Sequence, residues 1–279
     1  MSYLRVRAVI FDVDGVLLDA RASYHAAAEE AARRAVQEVL GRSDAPFDRV
    51  AEVPKFKAAG RFNDDWEMAR GIAVLLHLRH TGKAPSLDDF LGRAQGRGVE
   101  GLAAAFLDVA SHYPQAWLSR LCGALYGGRS RCRELFGFEA IEAIEDVPEE
   151  GFWERETKLV DPALLRRVTR DFPVGIYTGR NPGEAALALV RCELHVPREL
   201  CWVADGRPRK PDPTGLEFLC GKLVSKSGGS EALFVGDTAD DEQAARTARA
   251  RGAPLVYAHV AAPGDTTRVL ERLLAETGA

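Results

Sequence analysis

Two aspartates, Asp12 and Asp14, stand one residue apart where an apolar run ends in AVIFDVDGVLLD, residues 8–19. Charges so close repel, and burying even one of them is costly without a partner. Positive charge is therefore expected beside them. Three later stretches are suited to the same place. TGR brings Thr178, Gly179 and Arg180, DGRPRKPDP brings Lys210, and VGDTADD brings Asp237, Asp240 and Asp241. A carboxylate is a weak base in water but a competent nucleophile toward phosphorus. Its attack on a phosphate ester is opposed by like charge. Mg2+ removes that repulsion, because it prefers hard oxygen ligands and bridges carboxylate and phosphate oxygens. On this reading Asp237 or a near neighbour holds the metal, and Lys210 neutralises the remaining negative charge. Thr178 offers a hydroxyl donor and Gly179 a backbone donor. Asp14 is placed to protonate a leaving alcohol and then to activate water. Arg180 either touches phosphate or solvates a helix start.

These residues need elements to carry them. RVRAVIF at 5–11 reads as a buried strand, and similar runs return at 172–178, 200–204, 232–237 and 253–260. Helical patterns lie between the later runs, NPGEAALALVRCEL and DPTGLEFLCGKLV among them. Strand and helix alternating at this spacing predict βαβ units and an α/β fold with a parallel, Rossmann-like sheet covered on both faces. In such sheets ligands bind at the carboxyl ends of the strands. Every strand end but the last then presents a group suited to phosphate or a divalent cation.

Residues 20–158 differ. ASYHAAAEEAARRAVQEVL, DDWEMARGIAVLLHLRHTG and VEGLAAAFLDVASHY are helical in pattern. They predict a mostly α-helical domain inserted between 1–19 and 159–279, which together form the sheet domain. The Asp-Pro of KLVDPALL marks a helix start at the second boundary.

The bulk numbers limit the function classes. The 279 residues suffice for one large domain or two smaller ones, and 46% are hydrophobic. A formal net charge of −4 gives no electrostatic case for nucleic acid or an anionic membrane. No apolar run approaches the ~20 residues of a membrane helix. The start of the chain enters a strand directly without a secretory pattern, so a cytoplasmic protein is expected. Five cysteines without CxxC spacing support neither a disulfide framework nor a metal site and are expected reduced and mostly buried.

FDVDGVLLD, YTGR, RKPDP and VGDTADDEQAA, in this order, resemble the four motifs of the haloacid dehalogenase-like superfamily. The helical insert is similar to the C1-type cap of its subfamily I, and the branch resembled is subfamily IA. The resemblance implies that Asp12 is a nucleophile forming an aspartyl-phosphate and that Asp14 is the acid/base, its carbonyl also ligating Mg2+. It implies that Thr178 and Lys210 bind phosphate and that Asp237 and Asp241 complete the metal site. Asp240 is the alternative to Asp241, which is preferred because DEQAAR then starts the next helix. Asp14 and the motif IV acids favour phosphoryl chemistry over carbon–halogen cleavage. The implied activity is an Mg2+-dependent phosphatase acting on a small phosphorylated metabolite. The alternatives are a phosphosugar mutase, a phosphonate hydrolase with a cap lysine, and a non-catalytic relative. The oligomeric state is not legible.

Within the insert, KFKAAGRFNDDWEMARG at 55–71 is the densest in polar side chains. Lys55, Lys57, Asn63, Asp64, Asp65 and Trp66 either face substrate or simply cap and pack an ordinary helix. An acidic element there would suit an amine-bearing phosphate such as histidinol phosphate. His77 and His80 read as a surface pair rather than a zinc site. The basic run GGRSRCRELFGF reads as a solvated loop.

Overall fold

The computed structural model describes residues 2–59, 62, 64–224 and 229–278. In chain order, strands β1 (Val6–Phe11) and β2 (Leu18–Asp19) come first. Helices α1 (Tyr24–Leu40), α2 (Arg49–Ala58), α3 (Asp65–His80), α4 (Leu87–Gly92), α5 (Gly98–Ala105), α6 (Leu107–Ala110) and α7 (Gln115–Phe136) follow. Then come β3 (Thr157–Lys158), α8 (Pro162–Asp171), β4 (Val174–Tyr177), α9 (Pro182–Arg191), β5 (Cys201–Trp202) and α10 (Thr214–Leu223). The last elements are β6 (Glu231–Gly236), α11 (Ala239–Ala250), β7 (Leu255–His259) and α12 (Asp265–Thr277). The chain divides into two compact units, Met1–Asp19 with Thr157–Ala279, and Ala20–Glu156.

In the first unit five strands lie in the order β5-β4-β1-β6-β7. Every pairing in this sheet is parallel. The central strand shows why. Val9 and Phe11 enter one apolar cluster with Leu165, Val168, Leu270 and Leu273, which lie on α8 and α12. Ala8 and Ile10 enter the opposite cluster with Leu216, Leu219, Ala244 and Ala248 of α10 and α11. A strand buried on both faces has no polar positions to spare, so it reads as an unbroken apolar run. Fully burying each large side chain contributes roughly 1.5–3 kcal/mol. The helix starts are written locally. Asp161 caps α8 with Pro162 in its first turn, and Asn181 with Glu184 closes a capping box on α9. A small antiparallel ladder of β2 with β3, unforeseen in the sequence, joins the two segments of this unit. Two residues per strand are too short to leave a periodic signal.

Among the described residues, the regular elements of the second unit are all helices. Besides Tyr24 and Val36, α1 buries Ala26, Ala27, Ala28, Ala31, Ala32 and Ala35, whose small side chains let α3 and α7 approach closely. Tyr24 stacks on Tyr126 at 4.5 Å between ring centroids, and Trp66 and Phe136 pack around them. Buried Glu156 accepts hydrogen bonds from Ser23 Oγ (3.1 Å) and Tyr126 OH (2.9 Å). Three expectations change here. The helix over 99–113 is split at Phe106 (φ −125°, ψ 44°) into α5 and α6. The basic run 127–138 is not a loop but lies mostly in α7, which kinks at Gly128 (φ 63°, ψ −173°). His77 is no surface residue, since it is buried with Nδ1 2.8 Å from Tyr113 OH.

Cys122, Cys132, Cys192 and Cys220 are buried, Cys201 is half-buried, and all five are free thiols. No helix among the described residues is long and apolar enough to cross a membrane.

Candidate active site

Of the polar residues predicted at the strand ends, Asp12, Lys210, Asp237 and Asp241 come together in the sheet unit. Asp12 follows β1 directly, and its N–H continues the ladder to the Val235 carbonyl at 3.0 Å. The residue is 5% exposed. Oδ1 accepts from Val13 N–H (2.7 Å) and pairs with Lys210 Nζ (2.8 Å). Lys210 Nζ also reaches Asp241 Oδ1 at 2.6 Å and lies 5.1 Å from the Tyr177 ring centre. The loop carrying this lysine is tied down at two points. Tyr177 OH donates to the Asp212 carbonyl (2.6 Å), and Trp202 Nε1 donates to that of Pro208 (3.0 Å).

Asp241, fully buried, has both oxygens engaged. While Oδ1 takes Lys210, Oδ2 accepts from the N–H and hydroxyl of Thr238 (3.1 and 2.6 Å) in the capping box of α11. Asp240, its rival in the sequence, is not in the carboxylate cluster. Oxygens of Asp12, Asp237 and Asp241 lie within 4.8 Å of one another. Asp237 Oδ1 is buried and has no hydrogen-bond partner among the described residues. Its other oxygen packs on Gly15, where an added Cβ would stand 2.0 Å away. Gly15 also holds φ +73°, so a side chain is excluded twice over.

The electrostatics follow from this crowding. Burial pushes the Asp12 carboxyl well above its usual range, with Asp241, Asp237 and Asp14 adding to the effect against the pull of Lys210. Burial and Asp241 raise Asp237 to about 7. Burial opposes the charge of Lys210, but Asp12 and Asp241 outweigh it and hold the ammonium above its usual range. Three carboxylates with one lysine leave an excess of negative charge in a buried place. Together with the orphaned Asp237 oxygen, this hard-oxygen donor set fits a small divalent cation. Asp12, Asp237 and Asp241 would hold it.

Thr178 is 3% exposed and accepts from Arg180 N–H at 3.2 Å. Gly179 follows it in the same turn, with open space where a side chain would stand. Arg180 does not present its guanidinium to solvent. Its fork closes on Asp14, with Nη2 2.6 Å from Oδ1 and Nε 3.2 Å from Oδ2.

A family model for haloacid dehalogenase-like hydrolases matches residues 6–249. The chain belongs to this family. Phosphatase Tt82 from Thermococcus thioreducens shares the fold at 24% identity and a TM-score of 0.72, with 97% of this chain and 99% of that one covered. A structural-genomics consortium target aligns at 15% identity and a TM-score of 0.58, over 97% of this chain and 100% of that one. A hydrolase from Streptococcus pneumoniae aligns at 13% identity and 0.41, over 96% and 99%. No curated protein matches the chain.

In this hydrolase the candidate residues of the helical unit are occupied by local contacts. Asp64 caps α3, accepting from Trp66 and Glu67 N–H. Lys55 pairs with Asp88 at 3.1 Å and Lys57 with Asp65 at 2.9 Å. His25 lies 3.5 Å from the same Asp65, and Trp66 belongs to the aromatic cluster with Tyr24 and Tyr126. Asn63 lies outside the described residues. Sequence reasoning missed the Arg180–Asp14 pair, which spans 166 positions and carries no local signal. It also missed Thr238, although Thr238-x-x-Asp241 is a legible capping box.

Proposed function

We propose that this hydrolase is an Mg2+-dependent phosphatase that cleaves a small phosphomonoester through an aspartyl-phosphate on Asp12. The observation that carries the reading is Lys210 Nζ seated between Asp12 (2.8 Å) and Asp241 (2.6 Å), beside the orphaned Asp237 oxygen. Bound Mg2+ supplies charge neutralisation between carboxylate and phosphate and polarises the phosphoryl group.

The chain's own residues account for the remaining steps. Asp12 Oδ1 is engaged by Lys210 and Val13 N–H, which leaves Oδ2 for attack on phosphorus. As that bond forms, the ester P–O bond breaks and its electron pair leaves on the alcohol oxygen, which takes a proton from Asp14. Water then attacks the phosphorus of the aspartyl-phosphate, giving a proton to Asp14, and the P–Oδ bond breaks to restore the Asp12 carboxylate. Lys210 stabilises charge on the phosphoryl oxygens, and the Thr178 hydroxyl and Gly179 N–H donate to them. The helical unit Ala20–Glu156 takes the role of a C1-type cap that selects the leaving group. A cytoplasmic location and a small phosphorylated metabolite as substrate belong to the same reading.

Phosphate release from a panel of phosphomonoesters, with Mg2+ or with EDTA, tests it. Metal-dependent release from part of the panel is expected. Absence of release from every ester by folded, Mg2+-loaded protein would refute it. Conversion of a phosphosugar to its isomer without net release would replace it with a mutase.

A further inference from the structure

Of the sheet-end residues, Arg180 is the one whose surroundings depart furthest from its expected part. Its side chain is 1% exposed, whereas that of its partner Asp14 is 38% exposed. The guanidinium donates to Asp14 through Nη2 (2.6 Å to Oδ1) and Nε (3.1 and 3.2 Å to Oδ1 and Oδ2). Nη1 points to the Glu184 carbonyl at 3.5 Å. The backbone of Arg180 is held as well, its N–H by Thr178 Oγ1 and its carbonyl by Ala204 N–H at 2.9 Å. Directly after it come the Asn181–Glu184 capping box and Pro182 of α9. A planar fork fixed at both ends thus grips a carboxylate that is itself open to solvent.

We infer that Arg180 is a positioning residue that fixes the Asp14 carboxylate for both proton transfers of the reaction, an inference that rests on the phosphatase reading of the same site. Displacement at phosphorus runs in line, so the alcohol departs opposite Asp12. Water must then attack phospho-Asp12 from the side the alcohol vacated. Asp14 gives a proton to the first oxygen and takes one from the second at the same location. One fixed carboxylate position serves both half-reactions, and a rigid buried fork supplies it. Displacing a reacting group by about 1 Å costs on the order of 100-fold in rate. A guanidinium so enclosed is a poor phosphate ligand and a good anchor.

The test compares wild type, R180M, R180K, D14N and the double variant D14N/R180M, with p-nitrophenyl phosphate and glycerol 2-phosphate in Mg2+. Melting temperatures are recorded alongside. A positioned acid/base contributes roughly 10²–10⁴-fold. R180M is expected to lower kcat by at least about tenfold without raising KM. On p-nitrophenyl phosphate, whose leaving group needs little help from an acid, R180M is expected to show a burst of nitrophenol followed by slow turnover. Glycerol 2-phosphate gives no burst. R180M adds no further loss in the D14N background, and R180K recovers part of the rate. If R180M fails to fold, a fall in kcat of R180K at unchanged melting temperature carries the same meaning.

A loss expressed in KM would overturn the inference by making Arg180 a phosphate ligand. Losses that multiply with those of D14N, or R180M turning over like wild type, would also overturn it. Wild type that releases no phosphate removes the phosphatase reading and the inference with it. An active wild type with an indifferent R180M removes only the inference.

Discussion

Replacing Asp237 with Asn should stabilise the metal-free protein at alkaline pH and abolish its response to Mg2+. Asp237 is raised from the ordinary 3.8 to about 7 by burial and by the neighbouring Asp241. A carboxyl whose folded-state value lies above its unfolded value takes up a proton on folding. Stability is therefore lost as pH rises through the window from about 4 to about 7 and stays lost above it. At about 1.4 kcal/mol per pH unit the full displacement amounts to ~4 kcal/mol. Asp12, raised in the same field, takes up part of the load, so a gain of about 2–4 kcal/mol is expected from Asn. For a chain of this size that corresponds to a rise in Tm of roughly 5–10 °C. The assay is thermal unfolding of wild type and D237N in EDTA and in Mg2+, at pH 4, 6 and 8. The gain should be largest at pH 8 in EDTA and vanish near pH 4. Added Mg2+ should raise Tm of the wild type, as any ligand of the native state does, and leave D237N unmoved. An unchanged or lowered Tm for D237N in EDTA at pH 8 would refute the electrostatic reasoning.

Two further substitutions probe the same cluster. Lys210→Met removes the cation between Asp12 and Asp241. Phosphate release should fall by roughly 10²–10³ in kcat, the usual scale for losing one charge-stabilising donor, as read by steady-state kinetics. Gly15→Ala places a Cβ 2.0 Å from Asp237 Oδ2 on a backbone at φ +73°. Left-handed strain alone costs about 1–2 kcal/mol, and displacement of Asp237 should weaken Mg2+, so titration calorimetry should show lower affinity together with a lower Tm.

The parallel sheet was legible because doubly buried strands have no polar positions, and the four polar stretches fell at predictable strand ends. The sequence places the next helix start at DEQAAR; α11 instead begins at Ala239, and Asp241 is set apart from Asp240 by the box it closes with Thr238. Charge-bearing side chains in the helical unit leave two readings open, because density of polar residues does not say whether they meet substrate or each other. Lys57 with Asp65 and Asp64 on the α3 terminus are local solutions to local needs. His77 reads as exposed from its neighbours in LLHLRH, yet it is buried with its Nδ1 bonded to Tyr113 OH, 36 positions away. The Arg180–Asp14 pair is of the same kind, a contact made by the fold and not by spacing.

The central claim is that phosphoryl transfer passes through Asp12. The direct measurement is acid-quenched mass spectrometry of the enzyme mixed with p-nitrophenyl phosphate and Mg2+, for wild type and Asp12→Asn. The account predicts a phosphoryl adduct on the peptide containing Asp12 in wild type, with no adduct, and no phosphate release, in Asp12→Asn. Phosphate release that persists in Asp12→Asn, or an adduct on another residue, would contradict it.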